Sequence, residues 1–170
     1  MKYAIEKRYF KPESGAVLQF FLGIFAIGAL LAVSYYLFAC PCERMPGGYL
    51  LGEEVTETIE DWSFVNQTGL CQIQVAAVLP HSVNLNCMST NGNLYLSCAS
   101  CDGKYWSNAA VANPEARLRV DGRVYPVSIR RVQDAQTRDI AWQARAAKLK
   151  QKPGTPPAEG WWTFSLVSRN

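Results

Sequence analysis

The sequence predicts a single transmembrane α-helix followed by a mainly β (α+β) domain, a six-stranded β-barrel with two or three covering helices. Three observations support this prediction. An uncharged apolar run spans residues 15–39. Segments in which apolar and polar residues alternate come after it, divided by turn dipeptides such as Asn91-Gly92 and Asp121-Gly122, a pattern typical of half-buried strands in small barrels. Stretches with helical propensity lie between some of these strands.

The apolar run contains 25 residues without a charge. A helix needs roughly 20 apolar residues to cross the hydrocarbon layer, where backbone amides find no water, so the run predicts an uncleaved membrane anchor. A cleaved secretory signal is one alternative, but its apolar stretch is usually about 7–15 residues long. A lipoprotein signal is another, because Ala39 precedes Cys40, although the bulky Phe38 fits that pattern poorly.

Flanking charges predict how the helix is oriented. Four of the 17 basic residues precede the span, whereas only Arg44 follows it closely, and cytoplasmic flanks carry the excess of lysine and arginine. We therefore expect residues 1–14 to be a cytoplasmic tail and the rest to be periplasmic or otherwise extracytoplasmic, at the inner (plasma) membrane. Two of the 14 acidic residues precede the span, which leaves 13 basic and 12 acidic residues beyond it. This balance implies no nucleic-acid partner.

Beyond the predicted transmembrane helix at residues 15–39, residues 40–60 are predicted to be a stalk or linker, because the stretch PCERMPGGYLLG contains two prolines and three glycines. Residues 61–170 then form one domain, which is long enough for a single core. Its strands are predicted at 70–78, 82–88, 93–99, 116–120, 123–132 and 161–167, and its helices within 55–66, 104–112 and 133–150. The last helix should carry Ile140, Ala144 and Ala147 along one side.

Several short motifs follow one another between residues 61 and 169. They are DW at 61–62, PHSV at 80–83, NGNLYL at 91–96, GKYWSN at 103–108, ANPE at 112–115 and WTFSL at 162–166. In this order they resemble the FMN-binding split-barrel superfamily, which includes pyridoxamine-phosphate-oxidase-like proteins and deazaflavin-dependent nitroreductases. The resemblance implies a six-stranded split β-barrel, a homodimer with a cofactor at its seam and, where a flavin is bound, hydride transfer by that cofactor.

The resemblance also implies where a flavin or deazaflavin would be held. Members of the superfamily grip it with arginine and lysine from the second and third strands and the helix that follows, because a phosphate needs charged donors and backbone amides. This chain lacks part of that phosphate-binding set, because its second strand, HSVNLNCM, has no arginine or lysine. We expect no bound cofactor, with FMN or a deazaflavin as the alternative. The candidate cofactor-binding residues are Lys104, Ser97, Ser100, Ser107 and Trp106, and Arg117 and Arg119 on the fourth strand are possible substitutes.

No residue is assigned a catalytic role. His81 is the only histidine, which rules out a histidine-rich metal site. The adjacent Ser82 does not form a nucleophile–base pair with it, because neighbouring strand residues point to opposite faces. No metal site is predicted.

The cysteines lie in two kinds of setting. Cys71, Cys87 and Cys98 fall on the apolar phase of successive strands, where cysteine behaves as a small hydrophobe, so we expect them in the core. The C-x-x-C of Cys98 and Cys101 lacks the strand-then-helix setting of a redox dithiol, and no second C-x-x-C completes a zinc site. The sequence leaves open a structural disulfide that involves Cys101 or one between Cys40 and Cys42. It also leaves open acylation of Cys40 or Cys42.

Two functions follow from these features. The first is a noncatalytic accessory or assembly subunit of a larger membrane complex, whose partners would be other membrane-protein subunits and the lipid bilayer. Gly28 and Ala32 form a small-xxx-small pair that would allow close helix packing in the membrane. The alternative is a membrane-tethered flavin- or deazaflavin-dependent oxidoreductase.

Overall fold

The computed structural model of the chain describes residues 14–39, 41–152, 154–157 and 159–169. The predicted cytoplasmic tail up to residue 13 lies outside the described residues, as does Cys40. The chain divides after Tyr35 into two compact units.

Helix α1, Ser14–Phe38, makes up the described part of the first unit and extends a short way into the second. It is uncharged, and the side chains of residues 15–35 are all exposed. Its stretch Gly15–Phe38 is long and apolar enough to cross a membrane, with a mean hydropathy of 2.4, a property that signal sequences share. Gly28 and Ala32 both lie on this exposed helix.

The described residues of the second unit form seven strands and three short helices in addition to the end of α1. The strands are β1 (Glu53–Glu54), β2 (Leu70–Val75), β3 (His81–Thr90), β4 (Asn93–Cys98), β5 (Glu115–Val120), β6 (Arg123–Arg131) and β7 (Trp162–Ser168). The helices are a 3₁₀ helix (Ser63–Gln67), α2 (Tyr105–Ala112) and α3 (Ala135–Lys148).

Six of the strands close into an antiparallel barrel. They pair in the order β6-β5-β2-β3-β4-β7, and β7 returns to pair with β6. Strand β1 adds a short parallel pairing at the start of β6, where Glu53 lies opposite Arg123. The predicted six-stranded barrel with covering helices is therefore confirmed.

Two predicted turns close antiparallel hairpins of this barrel. Asn91-Gly92 joins β3 to β4 with φ values of 51° and 77°, and Asp121-Gly122 joins β5 to β6 with φ values of 47° and 84°. Two successive left-handed residues match the right-handed twist of the flanking strands, and asparagine, aspartate and glycine tolerate that conformation best. These dipeptides therefore set the registers of two hairpins.

Strands β3 and β4 separate at one end of the barrel. Their pairing begins only at Asn86 opposite Ser97, so residues 81–85 have no partner on β4. Gly47 takes up part of this open edge: its amide donates to the Ser82 carbonyl at 2.9 Å, and the Ser82 amide donates back at 2.8 Å.

The stretch predicted as a stalk at 40–60 packs along the barrel from Pro41 onward. Leu50 is fully buried, and its amide donates to the side chain of Gln74. Arg117 donates to the Leu50 carbonyl at 3.1 Å and binds Glu54 at 2.6 Å, while Arg119 donates to the Leu51 carbonyl at 2.9 Å. These barrel contacts satisfy the polar backbone of a segment that the sequence predicts to be irregular.

The hydrophobic core fills the barrel, and a smaller cluster lies under α3. The smaller cluster contains Met88, Tyr95, Val132 and Ala141, so the outward faces of β3 and β4 are covered where α3 crosses them.

Helix α3 buries a different side from the one that carries Ile140 and Ala147. Ile140 is 39% exposed and Ala147 is exposed, whereas Ala141, Trp142 and Ala146 are buried. Contacts of Trp142 set which side of the helix is buried. Its ring packs edge-on against Trp161, with centroids 4.8 Å apart, and its indole nitrogen donates to the Thr155 carbonyl at 2.7 Å. Ala144 remains partly buried against the small cluster.

Four cysteines form two disulfides, Cys71–Cys87 and Cys98–Cys101. The predicted burial of Cys71, Cys87 and Cys98 is confirmed. The Cys98–Cys101 bond is the disulfide involving Cys101 that the sequence left open, whereas the Cys71–Cys87 bond was not predicted. Cys71 lies opposite Leu85 in the β2–β3 register, so Cys87 is its diagonal neighbour on the same inner face. Side chains in that arrangement are close enough to bond.

Candidate functional site

A cleft of about 820 Å³ opens where β3 and β4 separate. Its walls come from the first half of β3, the end of β4, the start of α2 and the segment 43–46 that precedes the barrel. Single side chains from the start of β2, from α3 and from the residue before β7 complete it. Its lining residues are Glu43, Arg44, Met45, Pro46, Leu70, His81, Val83, Asn84, Leu85, Asn86, Ser97, Cys98, Ala99, Lys104, Tyr105, Trp106, Arg145 and Trp161.

The loop from β4 to α2 sets the position of Lys104. It is tightened by the Cys98–Cys101 disulfide and by left-handed backbone at Ser100 and Gly103. Ser107 holds the loop against α2, because its hydroxyl donates to the Cys101 and Lys104 carbonyls at 2.5 and 3.0 Å. The disulfide at the start of the loop and the Ser107 hydrogen bonds at its end therefore both restrict its conformation.

Within this loop the Lys104 ammonium is already engaged. It donates to the Ala99 carbonyl at 2.9 Å and lies 3.8 Å from the Cys98 sulfur. An anionic ligand would have to share this cation with a backbone carbonyl.

The other four predicted site residues have different surroundings. Ser97 lines the cleft; it is 3% exposed and its hydroxyl has no protein partner. Trp106 reaches the edge of the cleft, but it is 4% exposed and belongs to the barrel core, 5.3 Å from Phe164 between ring centroids. Ser100 is exposed and does not line the cleft, and Ser107 is buried with its hydroxyl bonded to the loop. The structure therefore brings Lys104, Ser97 and Trp106 together at one cleft.

Sequence reasoning missed the contribution of α3 to the cleft. The Arg145 guanidinium lies 5.0 Å from the Trp142 ring and 4.6 Å from the Trp161 ring, and it donates to Gln151 at 3.0 Å. Burial lowers the pKa of Arg145 from its usual value, although an arginine stays charged. The only signal in the sequence was a tryptophan three residues before an arginine on a helix, a spacing that places both on one face.

The outward positions of β3 are used by the chain itself. The Asn84 amide donates to the Pro41 and Glu43 carbonyls at 3.2 and 3.1 Å, and Gln72 on β2 donates to the same Pro41 carbonyl at 3.3 Å. With the Gly47 pairing at the open edge, these bonds hold residues 41–47 across the face of β3. That face is where the resemblance implies part of a flavin site.

These contacts decide how well a flavin phosphate fits. The outward face of β3 supplies no cation, Lys104 and Arg145 already have protein partners, and the possible substitutes on β5 bind the 50–54 segment. A ligand phosphate would have to compete with these partly buried or exposed bonds for its charged donors. The basic residues that the resemblance implies on this strand are therefore missing, and the cations that line the cleft are Arg44, Lys104 and Arg145.

His81 also lines the cleft. Its ring packs edge-on against Tyr105, with centroids 4.9 Å apart, and its Nδ1 shares a hydrogen bond with the Tyr36 hydroxyl at 3.1 Å. Burial lowers the pKa of His81, which favours the neutral ring at pH 7. In that form His81 joins the end of the apolar helix to the start of β3.

The chain matches no protein-family model and no curated protein sequence. Its structure is similar to that of a Bacteroides thetaiotaomicron protein assigned to 5-nitroimidazole antibiotic resistance, with a TM-score of 0.51 and 11% identity over 67% of this chain and 83% of that one. A Listeria innocua protein assigned as a pyridoxamine 5'-phosphate oxidase has a TM-score of 0.49, with 10% identity over 62% and 88%. The FAD binding protein from Mycobacterium smegmatis has a TM-score of 0.45, with 17% identity over 65% and 95%.

At these identities the similarity concerns the fold and not the chemistry. The closed order of six antiparallel strands and the separation of β3 from β4 agree with the resemblance carried by the sequence motifs. The barrel of this chain has the fold of the FMN-binding split-barrel superfamily.

Proposed function

We propose that the protein is a single-pass, membrane-anchored split barrel that acts as a noncatalytic accessory or assembly subunit of a larger membrane complex. The observation that carries this proposal is the use of the outward face of β3 by residues 41–47. A face that binds the chain's own membrane-proximal segment is suited to holding the barrel in place and poorly suited to holding a cofactor.

Two features support an anchor with the barrel outside the cytoplasm. Helix α1 has the length and hydropathy of a membrane span, and the basic excess before it favours a cytoplasmic amino end. The disulfides Cys71–Cys87 and Cys98–Cys101 fit an oxidising compartment such as the periplasm.

The partners in this proposal are membrane-protein subunits that contact α1 and the barrel surface. Gly28 and Ala32 lie four residues apart, so they share one face of α1. A Cβ atom added at Gly28 would have no neighbour within 4 Å, which leaves room for a second helix to approach closely. A second copy of the chain is an alternative partner, because split barrels commonly pair.

Gentle detergent extraction followed by native mass measurement tests the accessory role. We expect a complex that contains another membrane protein in a fixed stoichiometry. Gly28→Ile should reduce recovery of that partner by about tenfold, because a close helix contact is lost. Ala26→Ile is the matched control, since Ala26 faces away from Gly28 on the helix. A mass of one chain or of a homodimer alone would refute the accessory role, as would equal losses with the two variants.

A second candidate is a membrane-tethered flavin- or deazaflavin-dependent oxidoreductase. One observation favours it: three residues that line the cleft carry buried polar atoms without protein partners, namely the Ser97 hydroxyl, the Trp161 indole nitrogen and Nε of Arg145. Buried polar atoms are usually paired with protein, water or a ligand.

Flavin absorbance of the purified protein separates the two candidates. The accessory role predicts no stoichiometric flavin, either as purified or after incubation with FMN. If flavin is present, Lys104→Ala should weaken its binding by about tenfold, because a charge-assisted bond to phosphate is lost, whereas Lys150→Ala at the end of α3 should not. Near-stoichiometric flavin would refute the noncatalytic role, and equal affinity in the Lys104→Ala variant would refute the site assignment.

A further inference from the structure

The connection between β2 and β3 is an exposed apolar loop. It consists of Ala76, Ala77, Val78, Leu79 and Pro80, and it carries no charge. Val78 is 96% exposed and Leu79 is 49% exposed. Turns at the surface of soluble domains are usually polar, so this composition calls for a partner that accepts apolar side chains.

Helix α2 extends the apolar surface beside this loop. An open groove of about 500 Å³ lies between the two. It is lined by Ala76, Ala77 and Val78 of the loop, by Gly103, and by Tyr105, Asn108, Ala109 and Ala112 of α2. Tyr105 and Val111 on α2 are 54% and 56% exposed. Residues 75–84 and 105–114 contain no aspartate, glutamate, lysine or arginine, so loop and helix together form one uncharged surface.

This surface lies close to the end of the apolar helix. The Tyr36 hydroxyl, in the last turn of α1, is 3.1 Å from Nδ1 of His81, the first residue of β3. A second link is made by the segment after the helix: the Gly48 and Tyr49 amides donate to the Ala39 and Leu37 carbonyls at 2.9 and 2.7 Å. Its neighbour Gly47 pairs with the residue that follows His81. The start of β3 is thus tied to the end of α1 at two points.

Lengths place the loop within reach of the lipid headgroups. A 24-residue span is about 36 Å long, which exceeds the hydrocarbon thickness of about 30 Å, so its ends enter the interfacial layers. Val78 is three residues before His81, a backbone distance of at most about 10 Å. For a loop held this close to the bilayer, lipid is the nearest apolar environment that its exposed side chains can enter.

We propose that the loop 76–80, together with Tyr105, is a second membrane contact, in which Val78 and Leu79 insert into the interfacial layer of the bilayer. Apolar side chains and a tyrosine with its polar hydroxyl are the residue types that favour this layer. The contact would make the loop a second support for the barrel. The inference rests on membrane anchoring by α1, but it does not depend on an accessory role.

Site-specific fluorescence of the full chain in vesicles tests this inference. Val78→Cys is labelled with an environment-sensitive fluorophore, with Cys40 and Cys42 replaced by serine, and is reconstituted into phosphatidylethanolamine and phosphatidylglycerol vesicles. Asn93→Cys is the matched control, because Asn93 is exposed near the opposite end of β3. We expect quenching by nitroxide-bearing lipids to be at least about twofold stronger at position 78, and its emission to be blue-shifted relative to position 93.

Two results would overturn the inference. Equal lipid quenching at the two positions would show that the loop remains in water. Iodide quenching at position 78 as strong as at position 93 would show the same, and a protein partner would then be the occupant of this surface. Alkaline extraction of the same vesicles distinguishes these results from a failure of anchoring: a chain recovered in the supernatant refutes the membrane span itself.

Discussion

Replacing Cys71 and Cys87 together with alanine is expected to lower the free energy of unfolding by about 2–5 kcal/mol. The disulfide links residues 16 apart in sequence, and a cross-link of that size restricts the unfolded chain by about 3 kcal/mol in the chain-entropy model. Both cysteines are fully buried, so the loss of two sulfur atoms also leaves a void in the barrel. Denaturant unfolding of the detergent-solubilised protein, followed by tryptophan fluorescence, measures the difference.

The double variant Cys98→Ala with Cys101→Ala is the matched control. Its cysteines are only three residues apart, so restriction of the unfolded chain contributes less, about 1.5 kcal/mol. The stability ranking should therefore be wild type, then this control, then the Cys71 and Cys87 variant. Equal stability of the wild type and the Cys71 and Cys87 variant would contradict a disulfide at this position.

Trp106→Ala is expected to destabilise the barrel by about 3–5 kcal/mol, the usual cost of removing a large aromatic side chain from a core. Trp106 was predicted as a candidate cofactor residue, but it is 4% exposed and packs against Phe164 inside the barrel. Truncation would leave a cavity between α2 and β7. Thermal or denaturant unfolding of the variant measures this loss without any ligand.

Tyr105→Ala is the control for this prediction, because it removes a neighbouring aromatic side chain from the same helix. Tyr105 is 54% exposed and contacts His81 edge-on, so its loss should cost within about 1 kcal/mol. A Trp106→Ala variant as stable as Tyr105→Ala would contradict the core assignment and would return Trp106 to the set of ligand-facing residues.

Particular elements show which features sequence reasoning can reach. The dipeptides at 91–92 and 121–122 predicted two turns, because glycine, asparagine and aspartate have local conformational preferences that do not require the rest of the fold. Helix α3 was predicted as a helix, but the side that it buries depends on Trp142, which contacts Trp161 and the Thr155 carbonyl in a loop that no periodicity describes.

The candidate site shows the same division. Lys104, Ser97 and Trp106 were found through motif order and do line one cleft. Arg145 was missed, because it lies about 40 residues away on another helix and reaches the cleft only through packing. Cys71 and Cys87 were each placed in the core by strand periodicity, but periodicity alone did not show that they were diagonal neighbours on paired strands.

The sequence by itself determined the apolar helix, the strands and turns of the barrel, and the lack of arginine and lysine on β3. Each is a property of consecutive residues, set by hydropathy, side-chain alternation or backbone preference. Only the tertiary structure decided that residues 41–54 fold back onto β3 and β5, that two disulfides form, and that His81 at the start of β3 is hydrogen-bonded to Tyr36. Those features depend on contacts between residues far apart in the chain, and local preferences do not encode them.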